Sequence, residues 1–490
     1  MPSSIRKALD DLPTTLDDTY ERALQEISKE KQPHAHRLFQ CLVTAIRPLR
    51  VEELAEIFAI EWDAGLAANL MEGWRPENPE EALLSACSTL ITVIEDSGSK
   101  LVQFSHFSVK EFLVSDRLRT SMIGSIRHYH IVLDAAHTIL ARACVAVLLQ
   151  FDEKVDKQRL AAFPLAFYAA EHWANHAKFG NVALQIGDAI EHLFDPSKPY
   201  LAAWACWIYD IDEGQTRHSI DDLLEYRPQP AATALYYAAL CGLSRVAKYL
   251  ITRGEDVNAL CGHHGAPLHA ASYRGHLNTV RLLLDHGAYV NMTRNERKRT
   301  PMWSAYDGGH LDVMRLLLEH GANVDVEYDQ FGLLSHDASY RGRAEVLQLL
   351  LQHKANVNAR GYENQTPLHW ASICGESKVL RLLLQHKADA NARGHKNWTP
   401  LHWASHYRHP KVVQLLLEHG AEVNAQTDIQ DTPLHLASAD GNLEVVQLLL
   451  RHGADVHIRR YDGLTPFREA TSAGHSEIAQ LMLEHGAEKE

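Results

Sequence analysis

The sequence has no run approaching the roughly 18 apolar residues that a membrane-spanning helix requires. Its most apolar stretch, Ile139 to Leu149, is interrupted by Arg142. The amino terminus, Met1-Pro2-Ser3-Ser4-Ile5-Arg6-Lys7, lacks the apolar core of a secretory signal. Cysteine is scarce: seven residues (41, 87, 144, 206, 241, 261 and 374), an odd and scattered set with no Cys-x-x-Cys pair. That fits reduced thiols better than a disulfide framework. An intracellular protein is expected, in cytoplasm or nucleus, since Arg297-Lys298-Arg299 is too short to serve as an address. Basic residues are in deficit, 48 Lys and Arg against 62 Asp and Glu, so the net charge is −14. A general binder of nucleic acid or acidic membrane needs clustered cations and is disfavoured.

Catalytic signatures are missing as well. There is no Gly-x-Ser-x-Gly, no His-Glu-x-x-His and no Cys/His pair at metal spacing. The phosphate-cradling Gly-x-x-x-x-Gly-Lys-Ser/Thr is absent, and Gly98-Ser99-Lys100 reads as a hairpin tip. The pairs Asp10-Asp11 and Asp17-Asp18 read as solvated surface charge. No catalytic residue, metal ligand or cofactor is assigned, and the expectation is a protein that is not an enzyme.

What is abundant is histidine, 31 residues, of which 21 follow residue 230. They recur in two phrases. Thr-Pro-Leu-His stands at 366–369, 399–402 and 432–435; His-Gly-Ala stands at 286–288, 320–322, 419–421, 452–454 and 485–487. The alanine after the first phrase marks a series: Ala238, Ala271, Ala305, Ala338, Ala371, Ala404, Ala437, Ala470, with intervals of 33 residues and one of 34. A period of 33 with this phrase resembles the ankyrin repeat, here eight times over. Thr caps the first helix of a unit, and Pro at the first helical position loses no hydrogen bond. Val445, Leu448 and Leu449 show the i, i+3, i+4 spacing of a half-buried second helix. The histidine of Thr-Pro-Leu-His is expected to hydrogen-bond between loops of adjacent units, a metal chain along the array being the alternative. Lys354 and Lys387 stand where a helix-ending glycine is usual, and Arg408 replaces the glycine between two helices. Units three and four are the least regular: the extra residue falls in the hairpin Arg294 to Arg299, and Leu333-Leu334-Ser335-His336-Asp337-Ala338 is a degraded phrase.

Resemblance to ankyrin arrays implies a concave face of hairpin tips and first-helix surfaces, with no cleft for chemistry. Positions two and three after the anchor alanine give Tyr273, Arg274, Tyr340, Arg341, Ile373, His406 and Tyr407; the hairpins add Tyr362, Glu363, His395, Lys396, Trp398, Asp428 and Ile429. These are the candidate partner-binding residues, rich in the types that dominate binding energy. Trp398 is the first choice. Trp370 and Trp403, one before the anchor, are expected in the inter-helix core.

The first half does not repeat. Helical spacing runs from Thr15 to about Ser28, from His34 to Ile46, from Val51, and from Glu80 to about Ser88. The period then becomes two: Leu90 to Ile94, a turn Asp96-Ser97-Gly98-Ser99, and Leu101 to Phe104, which predicts a hairpin. Ser108-Val109-Lys110-Glu111 reads as a capping box opening a last short helix. Helices followed by a hairpin are the order of a winged helix. The helix before the hairpin carries Glu80 and Glu81 and no cation, so DNA binding through it is not expected.

Leu9-Asp10-Asp11-Leu12-Pro13-Thr14-Thr15-Leu16-Asp17-Asp18-Thr19-Tyr20-Glu21-Arg22 resembles the segment closing the nucleotide-binding region of fungal NACHT-type NTPases. Arg47-Pro48-Leu49-Arg50-Val51-Glu52-Glu53-Leu54 and the stretch Val102 to Leu113 are similar to their winged-helix domain, of the type named after a GPI inositol-deacylase. Phe163 to Trp173 resembles their helical linker. The resemblance to NACHT-ankyrin (NOD-like) proteins implies a mostly α fold: a helical segment at 1–31, a winged helix at 32–118, a helical bundle at 125–228 and an ankyrin solenoid with short β-hairpins at 229–490. It implies a protein-binding regulatory module, the sensor half of a receptor whose NTPase domain acts in cis or in trans; a stand-alone adaptor is the alternative. It further implies that His106 senses the nucleotide where a P-loop domain is present. The other reading of His106 is a hydrogen bond between strand and helix.

Overall fold

A computed structural model describes residues 15–62, 69–87, 89–96, 98–151, 157–198, 200–202, 204–205, 209–210, 215–216, 232–294, 299–325, 327–328 and 332–488. The expectations for 1–14, for the hairpin at 295–298 and for much of the linker after 205 lie outside those residues. The chain separates into two compact units, Met1–Ala288 and Tyr289–Glu490, each described by itself.

In the first unit, helix Leu16–Gln25 starts at Thr15, whose hydroxyl accepts the amide of Asp18. Asp17 and Asp18 are not simply solvated: with Glu21 they hold the Arg117 guanidinium at 3.0, 2.8 and 3.2 Å. All four groups are substantially exposed, so the cluster orients the helix more than it stabilises it. Helix Gln32–Thr44 follows, then Val51–Glu56, which the Glu53 carboxylate caps by accepting the Arg50 amide at 2.8 Å. Helix Pro79–Cys87 precedes the hairpin Ile91–Asp96 and Ser99–Phe104. The hairpin register runs from Ile91 opposite Phe104 to Asp96 opposite Ser99. A third strand, Leu49–Arg50, pairs with Ser99–Phe104, placing that strand in the middle of the sheet. Two residues are too few for a periodicity to announce. Leu38, Phe39, Leu49, Leu54, Leu83, Val102, Val109 and Leu113 form the core beneath.

The last short helix begins two residues earlier than expected. It spans Phe107–Leu113, and its cap is His106, whose Nδ1 accepts the Ser108 amide at 3.3 Å. Beyond it, helix Leu133–Leu148 packs on Ala166–Ala177 and on Gln32–Thr44. A buried polar chain runs through this contact: the Ile46 amide donates to the Tyr168 hydroxyl (3.2 Å), which lies 2.9 Å from His176 Nε2, and His176 Nδ1 lies 2.9 Å from His137. Two helix pairs end the unit, Ala234–Leu240 with Ser244–Thr252 and Pro267–Tyr273 with Leu277–Asp285.

The second unit is six more helix pairs, the first helices running from Pro301–Asp307 to Pro466–Ser472, the second from Leu311–Glu319 to Ser476–Glu484. Each second helix buries one stripe; Val445, Val446 and Leu449 are fully enclosed. The fold is mostly α, a solenoid with short hairpins. The histidine of His-Gly-Ala closes each second helix: its Nδ1–H donates to the carbonyl four residues back, as in His419 to Leu415 (2.8 Å) and His452 to Leu448 (2.9 Å). That satisfies one of the orphan carbonyls of a helix end. Asparagines lace successive units: Asn391 Nδ2 donates to the Gly420 carbonyl, and its Oδ1 accepts the Glu422 amide at 2.7 Å.

Lys354 (φ 66°) and Lys387 (φ 65°) keep the left-handed conformation that glycine would adopt. Both are exposed. Lys354→Gly and Lys387→Gly are each expected to stabilise the array by about 0.5–1 kcal/mol, strain relief exceeding the entropy gained by the unfolded chain. Urea titrations measure this, and an unchanged midpoint would show the backbone unstrained there. Arg408 (φ 62°) is in the same conformation for another reason. A Cβ at the equivalent Gly375 would meet His409 at 2.6 Å, whereas the counterpart after Arg408 is Asn442, whose side chain turns back to accept the Val445 amide.

Among the described residues no helix is long and apolar enough to cross a membrane.

Candidate binding face of the repeat array

The inner structure of the array fixes what its surface presents. In unit five of the repeat series the Thr366 amide donates to His369 Nδ1 at 3.0 Å, and the Thr366 hydroxyl lies 2.8 Å from the same nitrogen. His369 Nε2–H then donates to the Trp398 carbonyl, 29 residues on, at 3.1 Å. His402 and His435 repeat the pattern toward the carbonyls of Asp431 and Leu464. In the degraded phrase His336 Nε2 lies 3.1 Å from the carbonyls of both Ala359 and Gln365. One ring thus ties a helix start to the next hairpin, the structural role expected of it. The network assigns the neutral Nε2–H tautomer. Burial holds the His369, His402 and His435 imidazoles down at about 4. Among the described residues no group of three His, Cys, Asp or Glu side chains is placed to hold a metal ion.

Because His369 pins the Trp398 carbonyl, the Trp398 side chain is held at the foot of its hairpin. Its ring lies 4.4 Å from Trp403 and 5.8 Å from His406, and Trp403 stacks on Tyr407 at 5.9 Å with planes 12° apart. His406 Nδ1 lies 2.8 Å from an Asp440 carboxylate oxygen. Three of the expected residues are therefore brought together, with Trp403 as the link. Trp403 is half-buried on this face, as is Trp370, which meets the exposed Tyr340 edge-on at 5.8 Å. The expectation that both tryptophans sit in the inter-helix core holds in part: their indole Nε1 atoms are shut off from solvent beside the fully buried Leu401 and Ala404, while each ring as a whole is partly exposed.

The remaining residues are placed separately. Tyr362 is half exposed at its own hairpin tip, where Glu363 has φ 52°; Lys396 has the same φ one repeat later, beside exposed His395. Asp428 accepts from Asn397 Nδ2, and its amide donates to the Lys396 carbonyl at 3.1 Å. Ile429 is exposed and its carbonyl accepts the Tyr461 amide. Arg341 is bound by the Asp337 carboxylate at 2.8 Å, which also receives the Tyr306 hydroxyl, and Ile373 is half-buried. Tyr273 and Arg274 belong to the first unit, where Tyr273 stacks on His264 at 4.3 Å and Arg274 lies over its ring. Tyr461, 69% exposed, was missed; the hairpin register Tyr362, His395, Asp428 extended by one more period reaches it.

His106 is exposed, its ring 4.4 Å from the exposed Phe107 and its Nδ1 2.6 Å from Ser108 Oγ, itself 2.7 Å from the Tyr20 hydroxyl. On the acidic helix, Glu80 pairs with Lys100 at 2.6 Å.

Comparison with known proteins finds two families. The ankyrin repeat model ("Ankyrin repeats (3 copies)") matches at residues 211–294, 235–328, 289–361, 335–427 and 426–490. The model "GPI inositol-deacylase, winged helix domain" matches residues 20–123. Among curated proteins, the azaphilone pigments biosynthesis cluster protein L of Monascus ruber is 32% identical over 298 residues, 58% of this chain and 61% of that protein. The putative E3 ubiquitin-protein ligase XBAT35 of Arabidopsis thaliana is 43% identical over 82 residues, 16% of this chain and 18% of that protein. The chain spans less than two thirds of either relative. A winged helix followed by ankyrin repeats is the combination that the resemblance to fungal NACHT-ankyrin proteins implies.

Proposed function

The chain belongs to the ankyrin-repeat family, a family of protein-interaction modules, and we propose that this array is the recognition part of a regulatory protein that binds a protein partner on its concave face. The observation that carries the reading is the aromatic cluster of Trp398, Trp403, His406 and Tyr407. Rings of this size on a solvent-facing surface, held in place by their neighbours, supply contact area at little entropic cost. The left-handed Glu363 and Lys396 at neighbouring hairpin tips point the same way, since such conformations concentrate at functional sites. Tyr340, Arg341, Tyr362, Ile373, His395, Asp428 and Ile429 are assigned to the periphery of the same face, and Tyr273 and Arg274 to the equivalent repeat positions of the first unit.

On this reading a segment at 1–31, a winged helix at 32–118, a helical bundle at 125–228 and repeats at 229–490 form the sensor half of a NACHT-type receptor. Partner binding would shift an equilibrium in an NTPase acting in cis or in trans, with His106 facing its nucleotide. The chain acts inside the cell, in cytoplasm or nucleus, without catalysis of its own and without binding DNA. Its acidic helix and net charge of −14 support the last point.

Affinity capture from a native extract with the full chain tests the reading. Trp398→Ala and Tyr407→Ala are each expected to weaken capture of a specific partner by tenfold or more, roughly the hot-spot scale. Lys248→Ala, on a second helix, should leave it unchanged. Equal recovery with all three variants would refute the assignment of the face.

A further inference from the structure

A second candidate site lies in the first unit, among the winged-helix elements. It is a cavity of about 470 Å³ between the start of helix Gln32–Thr44 and helix Pro79–Cys87. Phe58, Trp74 and His34 supply aromatic walls, with Ala82 and Ala86 beneath. The His34 and Phe58 rings already touch, 5.5 Å apart. Trp74 is 54% exposed, and its backbone is held in place. Its amide donates to the Met71 carbonyl at 2.9 Å, and the next residue, Arg75, is pinned by the buried Glu56 carboxylate at 2.6 Å. An exposed indole on a held backbone beside an apolar floor costs solvation without contributing core packing, which is the arrangement of a ligand wall.

The charge of the lining decides the kind of ligand. Among the described residues that line the cavity, Lys31 is the one full-time cation and none is a carboxylate. Its ammonium is drawn to the rim by donating to the Ser85 carbonyl at 3.0 Å, which leaves two of its three N–H groups for another acceptor. Of the other cavities, one of about 250 Å³ shares Lys31, Ser85 and Ala86 and adds Glu26, one of about 280 Å³ sets Glu255 beside Lys198, and one of about 190 Å³ holds Arg47 without an acid but with Phe104 as its aromatic wall. In a chain of net charge −14, a ring-lined cavity with a lysine and no acid selects a negative group.

We propose that this cavity binds a planar aromatic acid, its rings between Trp74 and Phe58 and its carboxylate on Lys31. A volume of this size accommodates two or three fused rings.

Calorimetric titration of the full chain with 2-naphthoate and with its uncharged amide tests the site. Naphthoate is expected to bind about tenfold more tightly than the amide, the scale of one charge-assisted hydrogen bond. Lys31→Gln should erase that difference while Lys31→Arg keeps it. Trp74→Ala should weaken both ligands about tenfold or more. Both side chains are exposed, so thermal unfolding should be unchanged. Ala82→Phe, which fills the floor while leaving Lys31 and Trp74 in place, should abolish binding and covers the case of a variant that folds poorly. Equal affinity for acid and amide, or binding unaffected by Trp74→Ala and Ala82→Phe, would each overturn the proposal.

Discussion

Acidification from neutral pH to about pH 4 removes several kcal/mol from the stability of the second unit. His369, His402 and His435 are buried as neutral rings, each using Nδ1 as an acceptor and Nε2–H as a donor. A second proton would sit on the nitrogen that accepts the threonine amide. Burial accordingly depresses all three from 6.5 to about 4. A depressed histidine binds fewer protons folded than unfolded, so stability is full above 6.5, falls as pH drops through that value, and levels off below about 4. A difference of about 2.5 units corresponds to about 3 kcal/mol per ring. Three rings then rival the ~5–15 kcal/mol of an ordinary domain. His336 is shifted the same way by burial and adds to the effect. Because each ring joins neighbouring repeats, its protonation weakens an interface, and opening should spread along the array.

The measurement is a series of urea unfolding curves across that pH range. His402→Gln should reduce the slope against pH while lowering stability at neutral pH, since the Thr399 amide and Asp431 carbonyl lose their common partner. A flat profile between 6.5 and 4 would mean that the rings are not buried neutral.

Glu56→Ala is the second large effect, expected to cost the first unit about 3 kcal/mol or more. The carboxylate is 1% exposed, receives Arg75 at 2.6 Å and accepts the Leu165 amide at 2.7 Å. Burial nevertheless pushes its carboxyl up, so desolvation outweighs what its two partners return. The ion pair is thus worth little net against an apolar replacement, whereas removing one member strands the other. The Arg75 side chain, 28% exposed and lying over Phe163, would keep partial hydration, which holds the cost near the low end of the range. Glu56→Gln retains an acceptor for Leu165 and should cost less than Glu56→Ala. The pair Glu56→Leu with Arg75→Met should be milder than Glu56→Ala alone. If the double variant is the least stable of the set, the pair contributes net stability and the desolvation argument fails.

The repeats were legible because each one restates its signals: a Thr cap, a Pro at the first helical position and an apolar stripe every 33 residues. The winged helix was legible where the period changed from helical to alternating at Leu90. Single events were not. The start of helix Phe107–Leu113 at His106 was misplaced because Ser108 is the better capping residue by type, but its hydroxyl is taken by His106 and Tyr20. Strand Leu49–Arg50 exists because a hairpin edge 50 residues later accepts it.

The sequence by itself determined the architecture and the repeat register, since both are written in local residue patterns. Only the tertiary structure decided that Trp370 and Trp403 are partly exposed, that Asp17 and Asp18 share Arg117, and that Lys31, Phe58 and Trp74 meet around one cavity. Those facts depend on which side chains distant segments bring within a few ångströms, and no spacing along a chain encodes that directly.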